Sequence, residues 1–555
     1  MTKFSDFSLL LAKIEGTAGS LDMTGILADF FSNLSDEELS IAVRFCMGRI
    51  FPAWSCSETG LGPSLLYTAI SKAAGISPKD VENLVKETGD VGTAAGRALS
   101  GARKGQVTFA NFIEEEDHLS LTDVYASLQK VSEASGKGSQ DKKMAYLQKL
   151  FSECEPEEAI YIARLAIEEL RVGVGEGIIR DSIAQAFNSS AALIERGYMI
   201  TNDIGEVAKV AKNYGDEGLG KLTVTIGHPI KLMLAQRAES ITSAVDGKVA
   251  IEWKYDGARV QIHKQGNAVT IYSRGLENIT DSLPDVAELV KEQVTADSVI
   301  LDGEVVAIGD DGKPRPFQDL LRRFRRKYDI TEMVQKISVQ LNLFDIMYLD
   351  GNPLIDTALE ERHAILAGIV NEIDRILVAR QVISSDINEI ESVYRAALNA
   401  GHEGIMVKKH DSGYLPGKRG KNWLKLKPIM ETLDLVVTNA QWGEGRRKNL
   451  MGSFMLACVD DASGQLLEVG RVGTGISDEQ LNELTTILSD LIESESGTMI
   501  KVKPEVVFEV AFEEIQKSPT YESGFALRFP RLVRIRLDKS LNDIDSIKRI
   551  ESLYG

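Results

Sequence analysis

The spacing of apolar residues changes twice along the chain. Up to about residue 215 it is helical: EEAIYIARLAIEELRVG places Ala159, Ile160, Ala163, Ala166, Ile167 and Leu170 on one stripe, the recurrence of a helix with one buried side. A polar, Gly/Ser-rich stretch, EASGKGSQDKK (Glu133 to Lys143), reads as a connection between two such helices. From about Lys248 the recurrence drops to two. KVAIEWKYDG, AVTIYSRG, SVILDGEVVAIG, ISVQLNLFDIMYLDG and EGIMVKKH are short β-rich runs closed by Gly or Asp-Gly turns. Helical stretches such as TALEERHAILAGIV lie between them, which predicts a mixed α/β region. After Pro428, LDLVVTNAQW, GSFMLACVD, LLEVGRVG, PEVVFEVAFEEI and RLVRIRLDK supply five strand candidates with little helix. Five strands with one short helix predict a small Greek-key β-barrel of the OB type. The expected architecture is therefore multidomain: all-α over 1–218, α/β over 219–428 and a β-barrel over 429–555.

Composition narrows the class. The chain has 555 residues, 43% hydrophobic and 26% charged, as in globular proteins of several domains. It has no run of eighteen apolar residues, and its first residues carry only a short apolar stretch without a small-residue cleavage site, so a cytoplasmic protein with no membrane partner is expected. Cys46, Cys56, Cys154 and Cys458 lie far apart and form no C-x-x-C, and the six histidines are isolated from one another, which argues against structural zinc and a disulfide framework. A net charge of −19 excludes a chain that coats nucleic acid indiscriminately. Cations are nonetheless clustered in RRFRRK (Arg322 to Lys327), KKHDSGYLPGKRGKNWLKLK (Lys408 to Lys427) and RFPRLVRIRLDK (Arg528 to Lys539). In the last two, apolar and aromatic residues are interleaved at strand spacing, so the cations are expected to converge on one face.

The stretch IEWKYDGARVQIH holds the chemistry. Lys254 stands between apolar and aromatic neighbours ahead of a Tyr-Asp-Gly turn, and a lysine is a nucleophile only when neutral, a state that desolvation or neighbouring cations such as Lys425 and Lys427 favour. A lone K-x-D-G is more often a surface lysine on an amphipathic strand. Other parts of a nucleotide site follow in order, however. Glu304 in LDGEVVA and Glu403 in EGIMVK each adjoin a glycine at a strand end, where a carboxylate can hold Mg²⁺ beside a triphosphate. Phe344 in LFDIMYLDG can stack on a base, although core packing is the commoner use of a strand phenylalanine.

Seven motifs in order, EWKYDGAR, SRGLENIT, LDGEVVA, LFDIMYLDG, EGIMVKKH, NWLKLK and RFPRLVRIRLDK, resemble the signature of the nucleotidyltransferase superfamily, and within it the ATP-dependent DNA ligases of the archaeal and eukaryotic replicative type. TGLGPSLLYTAI, ETGDVGTAA and EELRVGVGEG resemble segments of that family's helical DNA-binding domain, and GHPIKLMLAQ resembles the start of its adenylation domain. The resemblance implies that Lys254 takes AMP from ATP, that Glu252 accepts from the adenine amino group and that Phe344 stacks on the ring. Arg259 and Arg274 would reach the ribose and phosphates, Glu304 and Glu403 the ribose and an Mg²⁺ or Mn²⁺ ion, and Lys408, Arg419, Lys425 and Lys427 the phosphates. Arg534, Arg536, Asp538 and Lys539 would form a tail that closes over the triphosphate. The implied partner is nicked duplex DNA, gripped by backbone and groove shape, with the Gly-rich turns at Gly60 to Gly62, Gly89 to Gly92 and Gly173 to Gly177 bringing main-chain N–H groups to phosphates. Gln106 and Phe109 stand where archaeal members carry a peptide for the sliding clamp. The expected protein is a monomer, cytoplasmic or, in a eukaryote, nuclear. An RNA-capping guanylyltransferase or RNA ligase shares the lysyl-nucleotide chemistry, and an inactive nick-binding scaffold would show a damaged Lys254, Glu304 or Glu403, all of which are present.

Overall fold

The computed structural model describes residues 1–555 except 56, 104–118, 137, 310, 316–318, 321–322, 324–333, 335, 429–431, 444–446, 448 and 555. Gln106 and Phe109, and all of the first basic cluster but Arg323, lie outside the described residues. Two compact units result, Met1–Lys427 and Pro428–Gly555.

Among the described residues the first unit begins with twelve helices, from Phe4–Glu15 to Ile204–Gly220, around one apolar core. Their starts follow from local chemistry. Ser35, Ser77 and Ser120 each accept from the backbone N–H three residues on, while Glu38, Asp80 and Asp123 reach back, and Pro63, Pro78 and Pro156 open helices at a position that needs no N–H. The stripe expected over 159–170 is shorter than its pattern: the helix Pro156–Ala166 stops before Glu168, whose φ of 57° leaves the helical region, and Leu170 enters the core from the following loop. Of the Gly-rich turns, that at Gly89 to Gly92 divides in function. Gly89 ends a helix with φ 69°, whereas Gly92 and Gly96 let the helix Val91–Arg103 lie against Pro156–Ala166, where an added Cβ would come within 2.5 Å of the Ile160 oxygen and 2.9 Å of the Pro156 oxygen. Those two glycines serve packing.

The remainder of this unit holds two sheets. Strands β1 (Leu234–Arg237), β2 (Val249–Lys254), β9 (Val382–Ser384), β10 (Gly404–Lys409) and β11 (Arg419–Leu426) pair in the order β1-β11-β10-β2-β9. Strands β3 (Ala258–Gln265), β4 (Ala268–Ser273), β5 (Ser298–Ile308), β6 (Ser338–Leu349), β7 (Asn352–Pro353) and β8 (Ile376–Val378) form the other, ordered β4-β3-β5-β6-β7 with β8 beside β6. Alternation decides which side of each is buried. Ile251, Ile405, Val407 and Leu426 pack with Ile390 and Ala397 of the helix Ile387–Asn399, and Val260, Leu301, Val305 and Leu341 pack with Val286 and Val290 of the helix Pro284–Gln293. The opposite sides of both sheets meet at Ile300, Phe344, Met347, Tyr414 and Trp423.

The second unit is richer in strands than its sequence suggests. Beside β12 (Leu433–Trp442), β13 (Met451–Val459), β14 (Leu466–Val472), β17 (Val507–Ala511) and β20 (Arg531–Ile535), it has β15 (Ile492–Ser496), β16 (Met499–Val502), β18 (Glu514–Lys517) and β19 (Phe525–Arg528). Seven of these form one sheet, β14-β13-β12-β16-β15 with β17 joining β12 to β20, and the helix Asp478–Ser489 fills its core with Leu481, Leu484 and Leu488. The hairpin of β15 and β16 has an exposed polar strand, IESES, with no apolar alternation to announce it. Cys46, Cys154 and Cys458 are buried free thiols. Among the described residues no helix is long and apolar enough to cross a membrane.

One buried ion pair ties this part of the first unit together. Arg362, in the helix Leu359–Ile369, donates to both oxygens of Asp345 at 2.7 and 2.9 Å, with both side chains wholly buried, and also to the Ser412 and Thr357 carbonyls. It holds β6, one residue from Phe344, against the segment that carries Tyr414. Asp345→Ala would strand a buried guanidinium, so urea denaturation should show a loss of about 3–5 kcal/mol, whereas the apolar pair Asp345→Leu, Arg362→Met should lose much less.

Candidate active site

The register of the first sheet gathers side chains that are far apart in sequence. Gly404 pairs with Lys254, Met406 with Glu252 and with Lys425, and Lys408 with Ala250 and with Trp423. Because alternate residues share a face, Glu252, Lys254, Lys408, Trp423 and Lys425 all lie on the side away from the helix Ile387–Asn399. On the second sheet Arg259 pairs with Glu304 and Glu304 with Asn342, which puts Arg259, Asp302 and Glu304 on one face as well. The two faces form the candidate site.

Lys254, Lys427, Lys408 and Arg259 each have an acidic partner. Lys254 Nζ contacts Glu403 Oε2, and Lys427 Nζ reaches the same oxygen at 2.9 Å. The two lysines hold the Glu403 carboxyl below its ordinary range although burial pushes it upward. Lys408 Nζ pairs with Glu252 Oε2 at 2.6 Å and stands 4.3 and 4.8 Å from the ring centres of Trp423 and Phe344. Arg259 makes a two-pronged bond to Asp302 at 3.0 and 2.6 Å, donates to the Met233 carbonyl at 2.7 Å, and lies 5.4 Å from the Phe344 ring centre. Tyr414 completes this corner: its hydroxyl donates to Asp302 at 2.8 Å and accepts from the Met233 N–H at 3.0 Å.

Glu304 is the exception, since it makes no ion pair with a described residue. Burial drives its carboxyl up to about 7, against the pull of Lys254 and Arg259. Among the described residues no group of three or more His, Cys, Asp or Glu could hold a metal unaided.

Other expected residues fall elsewhere. Arg274 is exposed on the turn after β4, and Arg419 is exposed at the start of β11. In the second unit Arg534 pairs with Glu509 at 2.5 Å, Arg536 with Asp434 and Asp538 at 3.4 and 2.8 Å, and Lys539 with Asp434 at 2.6 Å. Arg323, of the first basic cluster, is buried against Asp285 and belongs to the core. Asp302, Tyr414, Trp423 and Gln381 are the site residues that the motif reading passed over; the first three lie inside LDGEVVA, SGYLPGKRG and NWLKLK, while Gln381 has no motif around it.

Comparison with known proteins places this arrangement. Residues 232–427 match a family model described as ATP dependent DNA ligase domain, residues 3–184 one described as DNA ligase N terminus, and residues 447–539 one described as ATP dependent DNA ligase C terminal region. The chain belongs to the ATP-dependent DNA ligase family. It is 53% identical to DNA ligase 2 of Methanosarcina acetivorans over 100% of this chain and 99% of that one, and 49% identical to the DNA ligase of Thermococcus fumicolans over 100% and 98%. Two solved structures, Pmar-Lig_Pre and Pmar-Lig_PreS3, share the ligase's fold over 96% of its length and 99% of theirs, with TM-scores of 0.59 and 0.57 at 19% identity.

The raised Glu304 carboxyl makes the stability of the ligase sensitive to pH. Between the ordinary value of 4.5 and about 7 the folded protein keeps a proton that the unfolded chain has released, so this group's contribution to stability falls as pH rises through that window. Glu304→Gln should therefore stabilise the chelator-treated protein at pH 8 by about 1–3 kcal/mol, the gain shrinking toward pH 5. Urea midpoints at the two pH values test this, and a variant less stable than wild type at pH 8 would contradict it.

Proposed function

We propose that this ligase seals nicks in duplex DNA through a covalent AMP on Lys254. The observation that carries the reading is the shared carboxylate: Lys254 and Lys427 converge on one oxygen of Glu403, on a face that also holds Glu252 and Lys408 and is opposed by Arg259, Glu304 and Phe344. The Lys254 nitrogen attacks the α-phosphorus of ATP, a P–N bond forms, and the bond to pyrophosphate breaks. The proton that Lys254 must shed has Glu403 in direct contact. AMP then passes to the 5′-phosphate at the nick, and the 3′-hydroxyl displaces it to form the phosphodiester. All three steps are phosphoryl transfers, for which positioning and charge neutralisation are the main demands.

Phe344 would stack on the adenine, Glu252 would accept from its amino group, and Lys408, Lys425 and Lys427 would face the phosphates, joined from the rim by Arg274 and Arg419. Glu304 and Glu403 are the residues that would hold Mg²⁺ or Mn²⁺. The donor set fits such an ion: Glu304 is a half-buried carboxyl without an ion pair among the described residues, and two carboxylates completed by substrate phosphates and water suit a hard divalent cation. The ion would supply neutralisation of the triphosphate charge. The parts 1–218, 219–428 and 429–555 would act as DNA-binding, adenylation and closing elements in the cytoplasm, in replication, recombination and repair. The match of residues 3–184 to a DNA ligase N terminus favours this over an RNA-capping enzyme.

Two outcomes test the reading. ATP labelled at the α-phosphate should label the wild type and leave Lys254→Ala unlabelled at unchanged unfolding midpoint; labelling that persists in the variant would refute the nucleophile. The tail should matter to the same step. The double variant Arg534→Ala, Lys539→Ala leaves the core residue Leu532 in place, and should slow adduct formation at least about tenfold while sparing the sealing of a pre-adenylylated nick. Equal losses in the two assays would remove the tail from the first step.

A further inference from the structure

The strand at the edge of the first sheet brings one more side chain to the site. Along the pairing of β2 with β9, Val249 faces Ser384, Ala250 faces Ile383 and Ile251 faces Val382, so the next residues in register are Glu252 and Gln381. Their side chains meet: Gln381 Nε2 donates to Glu252 Oε1 at 2.6 Å. The other oxygen of Glu252 is paired with Lys408, and Glu252 and Lys408 are 2% and 1% exposed. Lys408 in turn stands over the Phe344 ring. A row of contacts thus runs from Gln381 through Glu252 and Lys408 to the aromatic ring assigned to the base.

This row dictates which end of the Gln381 amide is free. A carboxylate paired with an ammonium accepts hydrogen bonds, so only the NH₂ of the amide can face it, and the carbonyl oxygen is left as the outward acceptor. We propose that Gln381 is a specificity-determining residue for the nucleotide: its Oε1, held beside the Glu252 carboxylate, completes an edge of two acceptors. Such an edge takes both hydrogens of the 6-amino group of adenine. It repels the 6-oxo group of guanine, which brings a third acceptor to acceptors that would then lie buried without donors. The proposal rests on the reading of Lys254 as the nucleophile toward ATP and of Phe344 as the base platform.

The test measures initial rates of Lys254 adduct formation by the full-length ligase with three α-labelled triphosphates: ATP, GTP, and the purine ribonucleoside triphosphate that has hydrogen in place of the amino group. In the wild type, loss of the amino group should lower kcat/KM at least about tenfold. Gln381→Met, which keeps the side-chain length but offers no acceptor of comparable strength, should lower kcat/KM for ATP about five- to tenfold, mainly through KM. It should leave the 6-hydrogen purine nearly unchanged and narrow the preference for ATP over GTP by the same factor. Equal losses with all three nucleotides would reduce Gln381 to a structural part and overturn the proposal, as would an unchanged ATP rate. A wild type indifferent to the 6-amino group would overturn it even if the variant did not fold. Labelling of Lys254→Ala defeats the underlying function instead, so the two failures are distinguishable.

Discussion

Like charges crowded into a partly buried space repel, and the site brings together the cations Lys254, Lys408, Lys427 and Arg259 on its two sheets. Two unit charges 4 Å apart cost roughly 4 kcal/mol at an effective dielectric of 20, so such a cluster needs compensation before any substrate arrives. Glu403, Glu252 and Asp302 supply it. Each acid shares a sheet face with its partner and lies beside or diagonal to it: Glu403 immediately before β10 beside the end of β2, Glu252 two positions off the register of Lys408, and Asp302 two positions off that of Arg259. Sheet pairing thus sets the electrostatics.

In the function proposed above, the same compensation would prepare the site for a polyphosphate. Cations already desolvated and held in place lose little freedom when phosphate oxygens replace carboxylate oxygens, so charge stabilisation is pre-organised. The acids displaced in that exchange need new partners. In the function proposed above, Glu403 would turn from two lysines toward a divalent ion, and Glu304, which has no ion pair among the described residues, would be its second ligand. Arg259 differs from the lysines, because its fork, the Asp302 carboxylate, the Tyr414 hydroxyl and the Met233 carbonyl form a closed set of bonds. It is built to stay where it is and offer its guanidinium plane beside Phe344.

Much of this was legible before any coordinates. A period of two in IEWKYDG and EGIMVKKH is enough to put Glu252, Lys254 and Lys408 on faces opposite Ile251 and Ile405, and NWLKLK places Lys425 and Lys427 likewise. What stayed hidden has physical reasons. The positive φ at Glu168 is imposed by tertiary packing on a residue type that gives no local sign of it. Arg362 in TALEERHAILAGIV looks like the solvent side of an amphipathic helix, and only the fold shows it fully buried against Asp345. Arg323 misleads in the same way within RRFRRK. Gln381 lies in VARQVIS, where nothing but its register opposite Glu252 marks it. Polar side chains that act through one long-range partner leave no periodic trace.

The arrangement also explains how motifs so far apart in sequence become one site. Residues 255 to 403, which carry the entire second sheet, are an insertion between β2 and β10. Pairing those two strands closes this long loop and, in the same event, brings Glu403 to Lys254, where the Glu403 N–H donates to the Lys254 carbonyl at 3.0 Å. Gly404 permits the approach: its φ of 136° suits glycine, and an added Cβ would collide with the carbonyl of Leu426 on β11. A chain that fails to close β2 on β10 therefore lacks the acidic partner of Lys254 and the opposing face together. If Lys254 is the nucleophile proposed above, its chemistry would be available only once β2 and β10 have paired.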